Sequence, residues 1–274
     1  MTSPVVVALD GSAKDARGLA VGAAFAELAG ATLHLARVVP EGDEPAAAEA
    51  ARALAEMADR VRPTLGDAAS VEVLHGDDAA AALVRHAAER APLLVVMATR
   101  AAGAAERAIR GSVADRVMRE CPRPVLLVPP GTEDMAGRHV HLSRVLVPLD
   151  GSALGERALD YALRLPHGAE LEYALLEVLG ADRERPAALA RLEAAERRAR
   201  GAGATAVESD VVTAKDAAAA IVESVRDALA DVIVMSSRGA GGLRRLVLGS
   251  VAEGVVRRSD VPVLLLTPAS LASR

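Results

Sequence analysis

Short apolar runs alternate along this chain with longer segments of helical period. VVVAL at 5–9, PLLVVMA at 92–98 and DVIVM at 231–235 are continuous rather than alternating. Strands read that way when helices cover both faces of a parallel sheet. Between the runs, apolar positions recur at i, i+4, as at Val113/Val117 and Val251/Val255. Glu193/Arg197 and Glu196/Arg200 place opposite charges at the same spacing on a solvated face. The pattern predicts strands at 5–10, 32–38, 71–75, 93–98 and 125–128, with helices at 13–29, 45–62, 78–90 and 112–120. In the second half it predicts strands at 144–150, 170–178, 207–212, 232–236 and 261–267, with helices at 153–165, 186–200, 216–230 and 250–258.

The two halves repeat each other. VVVALDGSA at 5–13 returns as VLVPLDGSA at 145–153, and RGSVADRVMRECPRPVLLVPP at 110–130 returns as LGSVAEGVVRRSDVPVLLLTP at 248–268. Two copies of this length mean duplicated domains, placed at 1–130 and 141–274, with the Pro/Gly/polar stretch 129–143 as linker. Strands alternating with helices imply right-handed βαβ crossovers. The fold class is therefore α/β: two tandem doubly wound domains, each a five-stranded parallel sheet in order 3-2-1-4-5 with helices on both faces.

Composition narrows the function. The 274 residues suit two cores of ordinary size, and 51% of them are hydrophobic. With no Trp, one Phe and two Tyr, the interior must be built from Ala, Val and Leu, and no aromatic platform is left for stacking bases. A net charge of −5 with interleaved signs argues against a nucleic-acid footprint. No stretch approaches the roughly 20 apolar residues of a membrane span, and MTSPVVVALD does not read as a signal peptide. Cys121, the single cysteine, fits a reducing cytoplasmic setting.

Candidate chemistry sits where ligands bind open α/β sheets, outside the carboxyl ends of the strands. Strand one ends in Asp10-Gly11-Ser12 and Asp150-Gly151-Ser152. Two readings of these turns stay open: a ligand contact, or a helix cap in which Ser12 and Asp15 have capping-box spacing. Strand four of the second copy runs into SSRGAGGLRRLVLGSVAEGVV at 236–256, where Gly239 is followed by nine residues and then Gly249-Ser250. Glycines admit an anion close to the backbone, and a helix N-terminus offers it free N–H groups. The loop is neither a Rossmann fingerprint nor a P-loop. His139 and His141 form a bare H-x-H, His34 and His75 lie on strands as packing residues, and Cys121 fills space at a helix end. No nucleophile–base pair, catalytic residue or zinc-spaced Cys/His set is assigned.

With these motifs the chain resembles the universal stress protein family, once per domain. The family signature is Gly, two residues, Gly, nine residues and Gly-Ser/Thr, combined with the strand-one Asp-Gly-Ser. The resemblance implies ATP, with Mg²⁺ as its companion ion, in the crevice between strands one and four. It assigns the binding set to Pro148, Asp150, Gly151, Ser152, Val178, Met235, Ser236, Arg238, Gly239, Gly249, Ser250 and Val251. Base and ribose fall near Asp150 and the Val178 backbone, and phosphates along the later residues. A weaker set in the first domain is Asp10, Val38, Gly111, Ser112 and Val113, because Ala98 and Ala101 replace both early signature glycines. In the second copy Ser236 replaces only the first of them. The resemblance also implies a stress-response regulator that acts on an unknown protein partner, pairs its two copies as an intrachain pseudo-dimer and leaves a homodimer open. A nucleotide-independent interaction module and a slow ATPase are the alternatives, and a cyclic nucleotide is not set aside as ligand.

Overall fold

The continuous apolar runs form strands buried on both faces, as their lack of alternation requires. The computed structural model describes residues 3–99, 113–130, 132, 140–165, 170–238, 248–267 and 270. Met1–His141 falls in one compact unit and Leu142–Pro268 in another.

In the first unit the chain runs β1 Val5–Leu9, α1 Asp15–Leu28, β2 Leu33–Val39, α2 Glu44–Leu65, β3 Ala69–His75, α3 Ala79–Arg90, β4 Leu94–Ala98, α4 Val113–Glu120 and β5 Val125–Val128. The strands are parallel in the order β3-β2-β1-β4-β5, with Val5 opposite Leu33 on one side and Leu94 on the other. The second unit runs β6 Arg144–Leu149, α5 Ala153–Leu163, β7 Glu172–Leu179, a 3₁₀ turn at Asp182–Glu184, α6 Arg185–Gly201, β8 Ala206–Thr213, α7 Ala217–Asp227, β9 Val232–Ser236, α8 Ser250–Arg258 and β10 Val263–Leu266. Its parallel order is β8-β7-β6-β9-β10. Both orders are the expected 3-2-1-4-5.

With few aromatic side chains, the core closes by near contact between backbones. A Cβ on Gly22 of α1 would stand 2.5 Å from Val7 Cγ2 of β1, and one on Gly254 of α8 would stand 2.6 Å from the Ala218 Cβ of α7. Helix starts are fixed by side chains: Asp43, Asp78 and Asp216 each accept the N–H three residues on.

Several boundaries differ from the sequence reading for local reasons. The Ser12/Asp15 capping box does not form: α1 starts at Asp15, and its N-cap Lys14 makes no side-chain cap bond. Helix α7 stops at Asp227, short of the expected 230, as Leu229 takes a left-handed φ of 50°. His75 is exposed rather than packed, because β3 ends the sheet order. Cys121 is buried as expected, and burial pushes its thiol up to about 11, which keeps it unreactive.

Candidate functional site

In the second unit, β6 delivers Asp150 to the carboxyl end of the sheet. Gly151 turns the chain at φ 72°, a conformation that glycine adopts without penalty. The Ser152 N–H donates to Asp150 Oδ1 at 3.0 Å, and Ser152 Oγ accepts the Gly155 N–H at 3.1 Å, capping α5. Ser152 is thus the cap that Ser12 is not. Beside this turn, the β7 residue Glu177 is only 3% exposed, a heavily desolvated carboxylate. Arg191 of α6 compensates it with two hydrogen bonds, Nε to Oε2 at 3.1 Å and Nη2 to Oε1. The same arginine lies over the turn, where a Cβ on Gly151 would meet its Cδ at 3.0 Å. Val178 follows Glu177 and is half-buried.

Across the crevice, β6 pairs with β9 only at Val145↔Val232 and Leu146↔Ile233. The equivalent strands of the first unit stay paired from Val5↔Leu94 to Ala8↔Met97. Pro148 stands where the first unit has Ala8. Proline brings no N–H to the ladder, so the paired stretch of β6 with β9 is shorter, although the two strands stay as close as β1 and β4. Beyond the last paired residues, Met235 and Ser236 are buried, and Ser236 Oγ donates to the Arg238 carbonyl at 2.5 Å. Ser237 donates its N–H to Leu266 O and accepts the Gly249 N–H, both at 2.8 Å. That second bond fixes the start of α8 at the end of β9. Gly249 is the N-cap at φ −67°, ψ 148°, and among the described residues no side chain caps the first turn. Ser250 and Val251 are exposed there. The described residues therefore bring Ser236, Arg238, Gly249, Ser250 and Val251 together at the carboxyl end of β9. Its parallel neighbour β6 carries Asp150 at the same end. Gly239 lies outside the described residues.

The first unit fills the matching region with its own side chains. Asp15, 2% exposed, accepts the Asp10 N–H at 3.1 Å and the Gly11 N–H at 2.7 Å. Burial raises the Asp15 carboxyl above its ordinary value, and neighbouring Asp10 adds to the rise. Lys14 Nζ stands 2.6 Å from Asp10 Oδ2. Burial works against the Asp10 carboxylate, but Lys14 and Ser12 outweigh it and hold the group at about 2. A Cβ on Gly11 would lie 2.7 Å from Arg37 Nη2, so that guanidinium covers the turn. Buried Arg17 reaches from α1 to the Thr99 carbonyl just beyond β4. Val38 is half-buried and Val113 exposed, while Ala101, Gly111 and Ser112 lie outside the described residues. Lys14, Arg17, Arg37 and the Glu177–Arg191 pair escaped the sequence reading. Only strand register reveals a signal: Leu9 faces Arg37, and Leu149 faces Glu177.

The sequence model of the Universal stress protein family matches residues 1–129 and again 141–267. A universal stress protein of Synechocystis sp. is 30% identical over 155 residues, 56% of this chain and 50% of its own. One from Mycobacterium bovis is 30% identical over 185 residues, 63% of this chain and 61% of its own. The chain thus spans half to about three-fifths of the length of the curated relatives it matches. The crystal structure of a universal stress protein from Archaeoglobus fulgidus matches at a TM-score of 0.74, over 97% of this chain and 96% of that one. At 22% identity, that likeness speaks to the fold. Among the described residues, no helix is long and apolar enough to cross a membrane.

Proposed function

The chain belongs to the universal stress protein family in a tandem two-copy form, and from that premise we propose that it is a stress-response regulator binding ATP, with Mg²⁺, mainly in its C-terminal unit. One observation carries the reading: where the paired stretch of β6 and β9 stops short, α8 begins at a glycine N-cap that offers its first turn no side chain. Such a terminus presents free N–H groups and a partial positive charge to a phosphate. In this reading the N–H groups of Ser250 and Val251 and the Ser250 hydroxyl hold the phosphates, with Arg238 adding charge. Asp150 accepts the ribose hydroxyls, and the Val178 backbone meets the base. Pro148, Gly151, Ser152, Met235 and Ser236 shape the walls, and Gly239 belongs to the same assignment. A reducing cytoplasmic location is part of the proposal, and the duplication fits a pseudo-dimer.

A second reading, an interaction module that needs no nucleotide, is favoured for the first unit by Lys14, Arg17 and Arg37, which occupy its crevice. Slow ATP hydrolysis needs a base or a water-orienting group, and in this reading Asp150 is the candidate for it.

Titration calorimetry with Mg·ATP on the full chain tests the proposal. About one strong site per chain is expected. Ser250→Ala should weaken it by tenfold or more, the loss of one charge-assisted hydrogen bond. Two equal sites, or no binding, would overturn the assignment.

A further inference from the structure

The first unit buries a second polar cluster away from the crevice. His34, near the start of β2, is 2% exposed, and His86 of α3 is 5% exposed. Their rings stack with centroids 5.2 Å apart. Ser70 lies opposite His34 and Glu72 opposite Ala36, so His34 and Glu72 share one face of the sheet. Helix α3 packs against β2 and β3. Glu72 Oε2 stands 3.3 Å from His34 Nε2, and Glu72 Oε1 stands 3.8 Å from His86 Nδ1. One donor atom from each residue lies within 4.8 Å of the other two.

His34 Nδ1 and Ser70 Oγ share a hydrogen bond at 2.8 Å, and Ser70 Oγ also lies 3.4 Å from the Leu33 carbonyl. In the tautomer that carries its proton on Nδ1, His34 turns the Nε2 lone pair toward Glu72. The buried Nε2 atoms of His34 and of His86 make no hydrogen bond. A metal ion would take the Nε2 lone pair in place of a proton, while Arg90 pairs with Glu72 from the exposed side.

The fold does not demand these histidines. The second unit builds the same topology with Ala174 at the register position of His34, opposite Leu146 as His34 is opposite Val6. Counted from the capping residues Asp78 and Asp216, the counterpart of His86 is Ser224.

We propose that His34, Glu72 and His86 bind one borderline divalent transition-metal ion of the Zn²⁺ class, reached past the partly exposed Glu72. Two histidines and a carboxylate are a donor set such ions take, with a fourth position left to water. The 3.3 Å between His34 Nε2 and Glu72 Oε2 is close to the edge of about 3.4 Å in a tetrahedron with bonds of about 2.1 Å, and His86 completes a set whose donor atoms lie within 4.8 Å of one another. The Nδ1 contact to Ser70 is the outer hydrogen bond that orients a metal-bound imidazole.

The test is a titration of untagged, chelator-stripped full-length protein with CoCl₂ at pH 7.5, followed by displacement with ZnCl₂. Expected are one Co²⁺ per chain with the intense visible bands of low coordination, one Zn²⁺ to displace it, and a higher thermal midpoint with Zn²⁺. Glu72→Gln, which keeps the shape of a partly exposed side chain, should weaken binding at least tenfold, and His86→Gln by as much or more. His141→Ala, on an exposed residue, should leave binding unchanged. No saturable Co²⁺ uptake by the wild type at submillimolar metal would overturn the site, whatever the variants do. So would uptake that persists unaltered in both Glu72→Gln and His86→Gln.

Discussion

Replacing Gly249 with Asp at the N-cap of α8 sets what the helix wants against what a phosphate wants. Gly249 has φ −67° and ψ 148°, the extended conformation of a capping residue, so aspartate fits its backbone. The Gly249 N–H already bonds Ser237 O and is not disturbed. A carboxylate here should accept the N–H groups of the first turn, as Asp216 accepts the Ala219 N–H at 3.1 Å in α7. Capping by Asp rather than Gly adds a few tenths of a kcal/mol, and its charge at the helix N-terminus adds about 0.3–1 kcal/mol. The unliganded protein should therefore gain roughly 0.5–1 kcal/mol. For ATP the sign reverses. A phosphate loses at least one charge-assisted hydrogen bond, about 1.5–3 kcal/mol or tenfold to about 150-fold in affinity, and meets a like charge. At a hundredfold excess over its dissociation constant, ligand adds about 2.7 kcal/mol of stability. A hundredfold loss of affinity at the same concentration leaves about 0.4 kcal/mol. Thermal and urea unfolding with and without Mg·ATP read both quantities. A variant that keeps the full ATP gain would show that phosphates do not bind at α8. A variant destabilised without ligand would make Gly249 a backbone requirement instead.

Three further outcomes are expected. Leu229→Gly should raise the unfolding free energy read from urea titration by about 0.5–1 kcal/mol, because Leu229 is 77% exposed and held at φ 50°; a loss of stability would contradict this. Gly22→Ala should destabilise by about 1–3 kcal/mol through its 2.5 Å approach to Val7, with partial rescue by Val7→Ala. A gain of about 1 kcal/mol from helix propensity alone would instead mean that α1 is not pressed so tightly on β1. Below pH 6.5 the unfolded chain protonates His34 before the folded one does, since the folded value is about 4. Stability present above pH 6.5 should fall between pH 6.5 and 4, by about 3 kcal/mol at most from His34, with His86 adding in the same direction. Urea midpoints in chelator across that range test it, and a flat profile would refute the buried neutral state.

The fold was legible because its signals are local and repeated. Unalternating runs such as Val5–Leu9 have one explanation, a strand covered on both faces, and the chain presents the pattern twice. Boundaries slipped where a single backbone conformation decides them: Leu229 ends its helix early in a left-handed conformation that no apolar period encodes. Placement of the crevice at the strand ends followed from topology alone. What fills the crevice did not, because long side chains such as Arg17 and Arg191 cross several ångströms to partners distant in sequence. The histidine cluster escaped for the same reason. His34, Glu72 and His86 come from two strands and a helix, at a spacing that matches no ligand motif.

The two units line the carboxyl end of the same scaffold with different side chains. Both retain Asp-Gly-Ser at the end of the first strand, and the neighbouring positions decide its use. Lys14 pairs with Asp10; Leu154 takes its register position in the second unit, where the cation over the turn is Arg191. Asp15 takes the N–H groups of Asp10 and Gly11, whereas Gly155 has no carboxylate to offer, and a Cβ there would press to 3.0 Å on Asp150 Oδ1. Arg37 covers the turn of the first unit from β2. Its counterpart Glu177 is buried and instead draws in Arg191 from α6. Ala8 lets β1 stay paired with β4, and Pro148 ends that pairing in the second unit. Donors and charges satisfied from within gain nothing from a ligand, because binding would first have to break what already holds them. On the proposed reading, the residues around the shared motif, more than the motif, decide which copy binds.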